Sequence, residues 1–265
     1  MLTSEHPVDV AAAPPPASAA AAKSATLPAD GIQGAQVVLA VEVCLKSGSN
    51  AVEADVRAAV ERVLAKRTIW YTDGPIALGP QGEDAFVDAH VESMRVCDTD
   101  PEVARHVSVL LFWQISLSLH VYKLNHEEPA DEIDDDEDIP SFTEYLLPFG
   151  RFEGLWEALL FDAGIKSQLL NYARMAALFS DRNVDPALVS WNRLVLLHGP
   201  PGTGKTSLCK ALSHKLAIRL SGRFSEAALV EINAHSLFSK WCVIAHPRAF
   251  MRDRSIDRLT LTSIR

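Results

Sequence analysis

One eight-residue segment restricts this chain more than any other. Gly199-Pro200-Pro201-Gly202-Thr203-Gly204-Lys205-Thr206 fits the pattern G-x-x-x-x-G-K-S/T. A short apolar run, Leu194–Leu197, precedes it and suits a strand buried on both faces. A helical stripe of Leu208, Ala211, Leu212, Lys215 and Leu216 follows it. Glycines remove side chains, so that backbone N–H groups can converge on an anion. The N-terminus of the following helix points its dipole at the same charge. The pattern therefore predicts a cradle for the phosphates of ATP. Lys205 would neutralise the β- and γ-phosphates, and Thr206 would ligate Mg²⁺. The bland alternative is a Gly/Pro turn that happens to contain Lys-Thr.

A second strand is expected at Ala228–Asn233, where Leu229, Val230 and Ile232 are apolar. The segment Ala234–Trp241 follows, with Phe238 and Trp241. An aromatic residue after such a strand can be core or function, and the pattern alone favours core. The loop's module begins further upstream. Phe149, Phe152, Leu155, Trp156, Leu159, Leu160 and Phe161 are apolar, and Ile165–Phe179 reads as a helix with Ile165, Leu169, Tyr172, Ala176 and Phe179 near one face.

The first half of the chain has a different rhythm. Residues 1–34 are rich in Ala and Pro, have little to bury, and read as a disordered tail. Residues 36–45 are apolar and β-branched, which predicts a buried strand. A turn follows at residues 47–50, and Asn50 with Glu53 reads as a helix start. Val52, Val56, Ala59, Val60, Val63 and Leu64 form one helical stripe. From Val107 to Val121 the residues alternate with period two, which predicts one long strand or two strands joined by a bulge. These elements predict an α+β domain over residues 35–125, with a linker at 126–146. Asp131–Asp138 within that linker carries seven acidic residues in eight, a run that repels itself.

Net charge is −9, which disfavours a broad nucleic-acid face. No apolar run reaches bilayer length, and the N-terminus lacks the basic start of a signal peptide, so no membrane contact is expected. Cys44, Cys97, Cys209 and Cys242 lie far apart, without metal-ligand or disulfide-framework spacing.

The Pro-Pro form of the loop, GPPGTGKT, resembles that of AAA+ ATPases. Three longer stretches resemble the pachytene checkpoint AAA+ ATPases, also called thyroid-receptor-interacting ATPase homologues. They are LPFGRFEGLWEALLFDAGIKSQLLNYARMAALFSDRNVDP, LVLLHGPPGTGKTSLCKALSHKLAIRLS and LVEINAHSLFSKW. The resemblance runs from about Val37 to Trp241 and is most specific from Leu147 onward. It implies an α+β N-terminal domain followed by a P-loop α/β (AAA+) domain, here incomplete. It also implies a nuclear, chromosome-associated hexamer, with the cytoplasm as a second compartment. Such proteins remodel HORMA-domain clients, often through an adaptor, in meiotic recombination and spindle checkpoints. By this likeness Trp241 is the pore-loop aromatic that grips the client, and Lys240 its neighbour.

The likeness stops after Trp241, where residues 242–265 carry five arginines and only Asp253 and Asp257 as acids. No Asp-Glu pair follows an apolar run downstream of Lys205, and the sensor residues, arginine finger and lid are not found. A truncated product is therefore expected. The family's parallel strand order 5-1-4-3-2 would leave strands one and two without neighbours, so residues 190–265 are not expected to form a native core alone. The alternative function is a catalytically incomplete fragment that only binds HORMA or adaptor partners.

Overall fold

The apolar run that opens the described chain forms its central strand. The computed structural model describes residues 36–78, 84–133, 140–162, 164–182, 185, 194–232 and 258–264. The predicted tail, much of the acidic run, and the proposed pore residues Lys240 and Trp241 lie outside the described residues.

In chain order the first elements are β1 (Val37–Leu45), α1 (Glu53–Ala65), β2 (Ile69–Trp70), β3 (Gly74–Ile76), α2 (Ala85–His90) and β4 (Val91–Cys97). Next come α3 (Pro101–His106), β5 (Val109–Leu110) and β6 (Ile115–Lys123). The remainder are β7 (Ala130–Ile133), β8 (Pro140–Leu147), α4 (Leu155–Ala158), α5 (Ile165–Asp181), α6 (Lys205–Arg219), β9 (Glu226–Ile232) and β10 (Arg258–Ile264).

The first sheet has the order β3-β4-β1-β6, with β1 antiparallel to β4 and parallel to β6. Strand alternation sends Leu39, Val41, Val43 and Leu45 to one face, where they meet Val56, Ala59, Val60, Val63 and Leu64 of α1. The predicted helical stripe is buried except Val52, which stands outside the helix and is exposed. Asn50 does not cap α1; the N-cap position is Val52, with no side-chain hydrogen bond. The period-two stretch resolves into β5, a 3-10 turn at Phe112–Gln114, and β6. That turn breaks the alternation after Leu110, so β5 pairs with β2 while β6 joins β1.

The second sheet has the order β10-β9-β8-β7. Residues expected as a solvated linker here supply strands: β7 pairs antiparallel with β8, and β8 with β9. Alternating apolar residues after the acidic run explain this, because Leu147 joins Phe149, Phe152, Ala217, Ala227 and Leu229 in one buried cluster. β9 is therefore not the unpaired strand that was expected. β8 lies on one side, and β10, drawn from the Arg-rich tail, runs parallel on the other. The run Leu194–Leu197 departs from its expected strand: residues 194–199 have no regular structure, and Leu194 and Leu196 are 72% and 80% exposed. A doubly buried parallel strand needs a neighbour on each side. None of the three sheets of the described residues offers it one.

Candidate functional site

The glycine-rich loop Gly199–Thr206 sits at the N-terminal end of α6. Gly199 to Thr203 are exposed, and Gly204, Lys205 and Thr206 are half-buried. Gly202 (φ 77°) and Gly204 (φ 81°) adopt left-handed backbone that L side chains rarely take. Gly204 is the N-cap of α6, and its carbonyl accepts from Leu208 N at 2.8 Å. The N–H groups of Lys205, Thr206 and Ser207 precede the first intrahelical bond and have no acceptor within the helix. Among the described residues nothing lies within 4 Å of where a Gly202 Cβ would stand, so they leave the outer side of the loop open. Lys205 Nζ donates to Gly199 O at 3.0 Å and Pro200 O at 2.6 Å, and lies 3.4 Å from Thr203 Oγ1. An arriving phosphate would exchange those neutral carbonyls for anionic oxygens, the stronger acceptors for an ammonium. The residues present thus fit a nucleotide's phosphates. Leu159 and Phe161 line the other side of the turn, with side-chain carbons 3.8 and 3.6 Å from the position of a Gly204 Cβ.

The helix that starts at this loop ends in a buried ionic cluster. Lys215 Nζ lies 2.7 Å from Glu42 Oε1 and 3.6 Å from Glu157 Oε1. Arg219 Nη2 lies 3.3 Å from Glu42 and 2.5 Å from Asp98, and donates to Cys97 Sγ at 3.0 Å. Burial is the largest influence on Lys215 and works against its charge, but the Glu42 carboxylate and Cys97 together outweigh it, and the ammonium is held above its ordinary range. Beside Lys215 in sequence, His214 Nδ1 accepts from Phe149 N at 3.3 Å, which leaves Nε2 to face Glu153 at 3.3 Å. Tyr122 OH donates to the same carboxylate at 3.2 Å. The hydrogen bond from His214 is the largest influence holding Glu153 below the usual carboxylate range.

Glu42, Cys97 and Tyr122 belong to the first sheet, on the face turned away from α1. The side chains of Cys44, Tyr122 and Ile218 make the apolar part of this contact. The sheet is thus clasped between α1 and the helix of the phosphate loop. Sequence reasoning missed this second face. Two signals pointed to it: Glu42 inside an apolar run, and Lys215 on an apolar helical stripe. Each carries a charge where a hydrocarbon is expected, and each is the other's counter-charge.

Among the described residues no group of three or more His, Cys, Asp or Glu side chains could hold a metal ion. No helix of the described residues is long and apolar enough to cross a membrane.

A family model of the TRIP13 N-terminal domain matches residues 34–127, and one of the AAA family, ATPases associated with various cellular activities, matches residues 195–254. The AAA match continues past Trp241, where the likeness was expected to end. The chain thus carries an α+β N-terminal domain followed by part of an AAA ATPase domain. Among its relatives are proteins called "Pachytene checkpoint protein 2 homolog". The one from Oryza sativa subsp. indica is 51% identical over 206 residues, covering 78% of this chain and 43% of the relative. That of Arabidopsis thaliana is 44% identical over 237 residues, covering 89% and 50%. That of Gallus gallus is 46% identical over 207 residues, covering 77% and 47%. The chain belongs to the pachytene checkpoint protein 2 family, and it spans about half the length of these relatives. A solved structure, "Structure of C. elegans PCH-2", has the same fold, with a TM-score of 0.62, 24% identity, and coverage of 86% of this chain and 58% of that one.

Proposed function

We propose that this chain binds ATP with Mg²⁺ at Gly199, Pro200, Pro201, Gly202, Thr203, Gly204, Lys205 and Thr206, as part of an AAA+ remodeller of HORMA-domain proteins. The observation that carries the reading is the open turn at the start of α6, with Gly202 and Gly204 left-handed and Lys205 opening the helix. In this reading Lys205 holds the β- and γ-phosphates and the Thr206 hydroxyl ligates Mg²⁺. The N–H groups of the first turn, which have no acceptor within the helix, would complete the cradle. The bound nucleotide would supply phosphoryl-transfer energy to the remodelling cycle.

The α+β domain over residues 35–125 is proposed to engage the client or its adaptor, and Lys240 and Trp241 to grip the client in the pore of a hexamer. The proposed setting is chromosomal, in the nucleus, during meiotic recombination. Binding to nucleic acid or membrane is not part of the proposal.

The test is phosphate release from Mg-ATP by the whole chain beside a Lys205→Ala variant, with binding of Mg-ATP measured in parallel. Saturable binding that the variant loses supports the site. Equal binding by both proteins sinks it. Retention of a purified HORMA-domain protein on the immobilised chain tests the partner separately.

A further inference from the structure

We propose that Lys215 and Glu42 are positioning residues for the nucleotide site: they tie the phosphate-loop helix to the first sheet, so that nucleotide affinity depends on this buried pair. The proposal rests on the nucleotide reading of the loop and adds to it a route between the loop and the N-terminal domain.

The geometry that points here is continuous. Lys205 opens α6, and Lys215 lies ten residues further along the same helix, about 15 Å at 1.5 Å per residue. Over that length α6 is enclosed. It contacts α4 and α5, strands β6, β8, β9 and β10, and the 3-10 turn at Gly150–Phe152. Lys210 Nζ holds Glu231 of β9 at 2.8 Å. The helix cannot rotate at its loop end without moving the groups at its far end, because packed interiors do not deform continuously.

At that far end the attachment is mainly ionic. Lys215 is 2% exposed and Glu42 is 5% exposed, with 2.7 Å between ammonium and carboxylate. Among the described residues the apolar support is a small cluster of Ile218, Cys44 and Tyr122, with Leu124 packed against it. Arg219, the next residue on this face, is incompletely satisfied: its Nε and Nη1 are buried without a hydrogen-bond partner. A buried pair of this kind fixes orientation more than it adds stability, since desolvation offsets much of the Coulomb gain. Removing one partner leaves a buried charge that its surroundings must move to accommodate, and α6 is the element free to transmit that movement to Lys205 and Thr206.

The experiment is a titration of the whole chain with the fluorescent nucleotide mant-ADP and Mg²⁺, well below each variant's melting temperature. Lys215→Met and Glu42→Gln are each expected to weaken binding about fivefold or more, in the range of ordinary coupling between sites. The double variant should be no weaker than the weaker single, because both act through one link. Lys215→Arg should restore affinity to near that of the original chain. A purely structural role would lower the melting temperature and leave affinity unchanged, and that result overturns the proposal. Wild-type hydrogen exchange provides a measurement that needs no variant. Saturating mant-ADP should slow exchange of the β1 and β4 amides, and unchanged exchange there would also overturn it. If the original chain fails to bind mant-ADP at all, the nucleotide reading falls together with this one. Equal affinities across bound variants refute the coupling alone.

Discussion

Replacing Leu229 by Ala probes the seating of β9, the strand whose neighbours departed most from expectation. Leu229 is 1% exposed, and it packs in a cluster with Leu147, Phe149, Phe152, Ala217 and Ala227. The substitution removes three carbons, about 2.4 kcal/mol of transfer free energy at roughly 0.8 kcal/mol each. A cavity term adds to this at about 24 cal/mol per Å³ of unfilled space. Two of the neighbours are alanines, which have no side-chain length with which to fill the gap, and the rings of Phe149 and Phe152 brace each other at 5.1 Å. Little relaxation is available, so the total should be about 3–4 kcal/mol. For a folded unit of this size each kcal/mol lowers the melting temperature by about 2–4 °C, giving a fall of about 6–16 °C. Calorimetry or circular dichroism melts of the whole chain measure it. The comparison is Leu160→Ala, since Leu160 is 93% exposed, and it should cost less than about 0.5 kcal/mol. If both variants melt within a degree of each other, β9 is not seated between β8 and β10 as described.

Further expectations are open to direct measurement. His120 is pushed down to about 4, first by burial and then by the positive charges of Arg219 and Arg57. The unfolded chain then binds the extra proton, so stability falls as pH drops from about 6.5 toward about 4, and His120→Gln should flatten melting temperature across that window. Cys44 and Cys97 are both pushed up to about 12, mainly by burial. Iodoacetamide at pH 8 should leave both unmodified in the native protein and modify both in urea; prompt native labelling would contradict their burial. Asp84 caps α2, accepting from Phe86 N at 3.0 Å and Val87 N at 3.4 Å. Asp84→Ala should cost about 1 kcal/mol in urea unfolding, and Asp84→Asn much less.

Local periodicity carried β1, α1 and β6 well, but not β3 or β4, the other two strands of that sheet. The stripe from Val56 to Leu64 and the alternation of β6 are short-range patterns, and each has one dominant burial partner. The loop at Gly199–Thr206 was legible for another reason: its glycines and Lys-Thr pair encode backbone geometry and charge directly. What periodicity missed depends on contacts distant in sequence. Glu42 and Lys215 are separated by most of the chain, and neither alone says that the other is its partner. The strand-forming power of residues 140–147 was masked by the acidic run before them, and β10 was hidden because Thr and Ser on a half-buried strand read as loop. Leu194–Leu197 failed in the opposite direction. Its composition suits a strand, but a strand is completed by neighbours, and composition does not supply them.

The second sheet ends differently on its two sides. On the β7 side the outermost strand carries Asp131 and Glu132, with more carboxylates following in sequence, so a second molecule approaching there meets like charge. On the other side the outermost described strand is β10, whose Leu259, Thr260, Leu261 and Thr262 carry no charge. Among the described residues no strand pairs with its other edge, so its outward N–H and C=O groups can accept another strand at little electrostatic cost. Colloidal behaviour should therefore be lopsided: self-association that begins at β10 and grows with concentration, limited by one seven-residue strand and indifferent to the acid on the opposite flank.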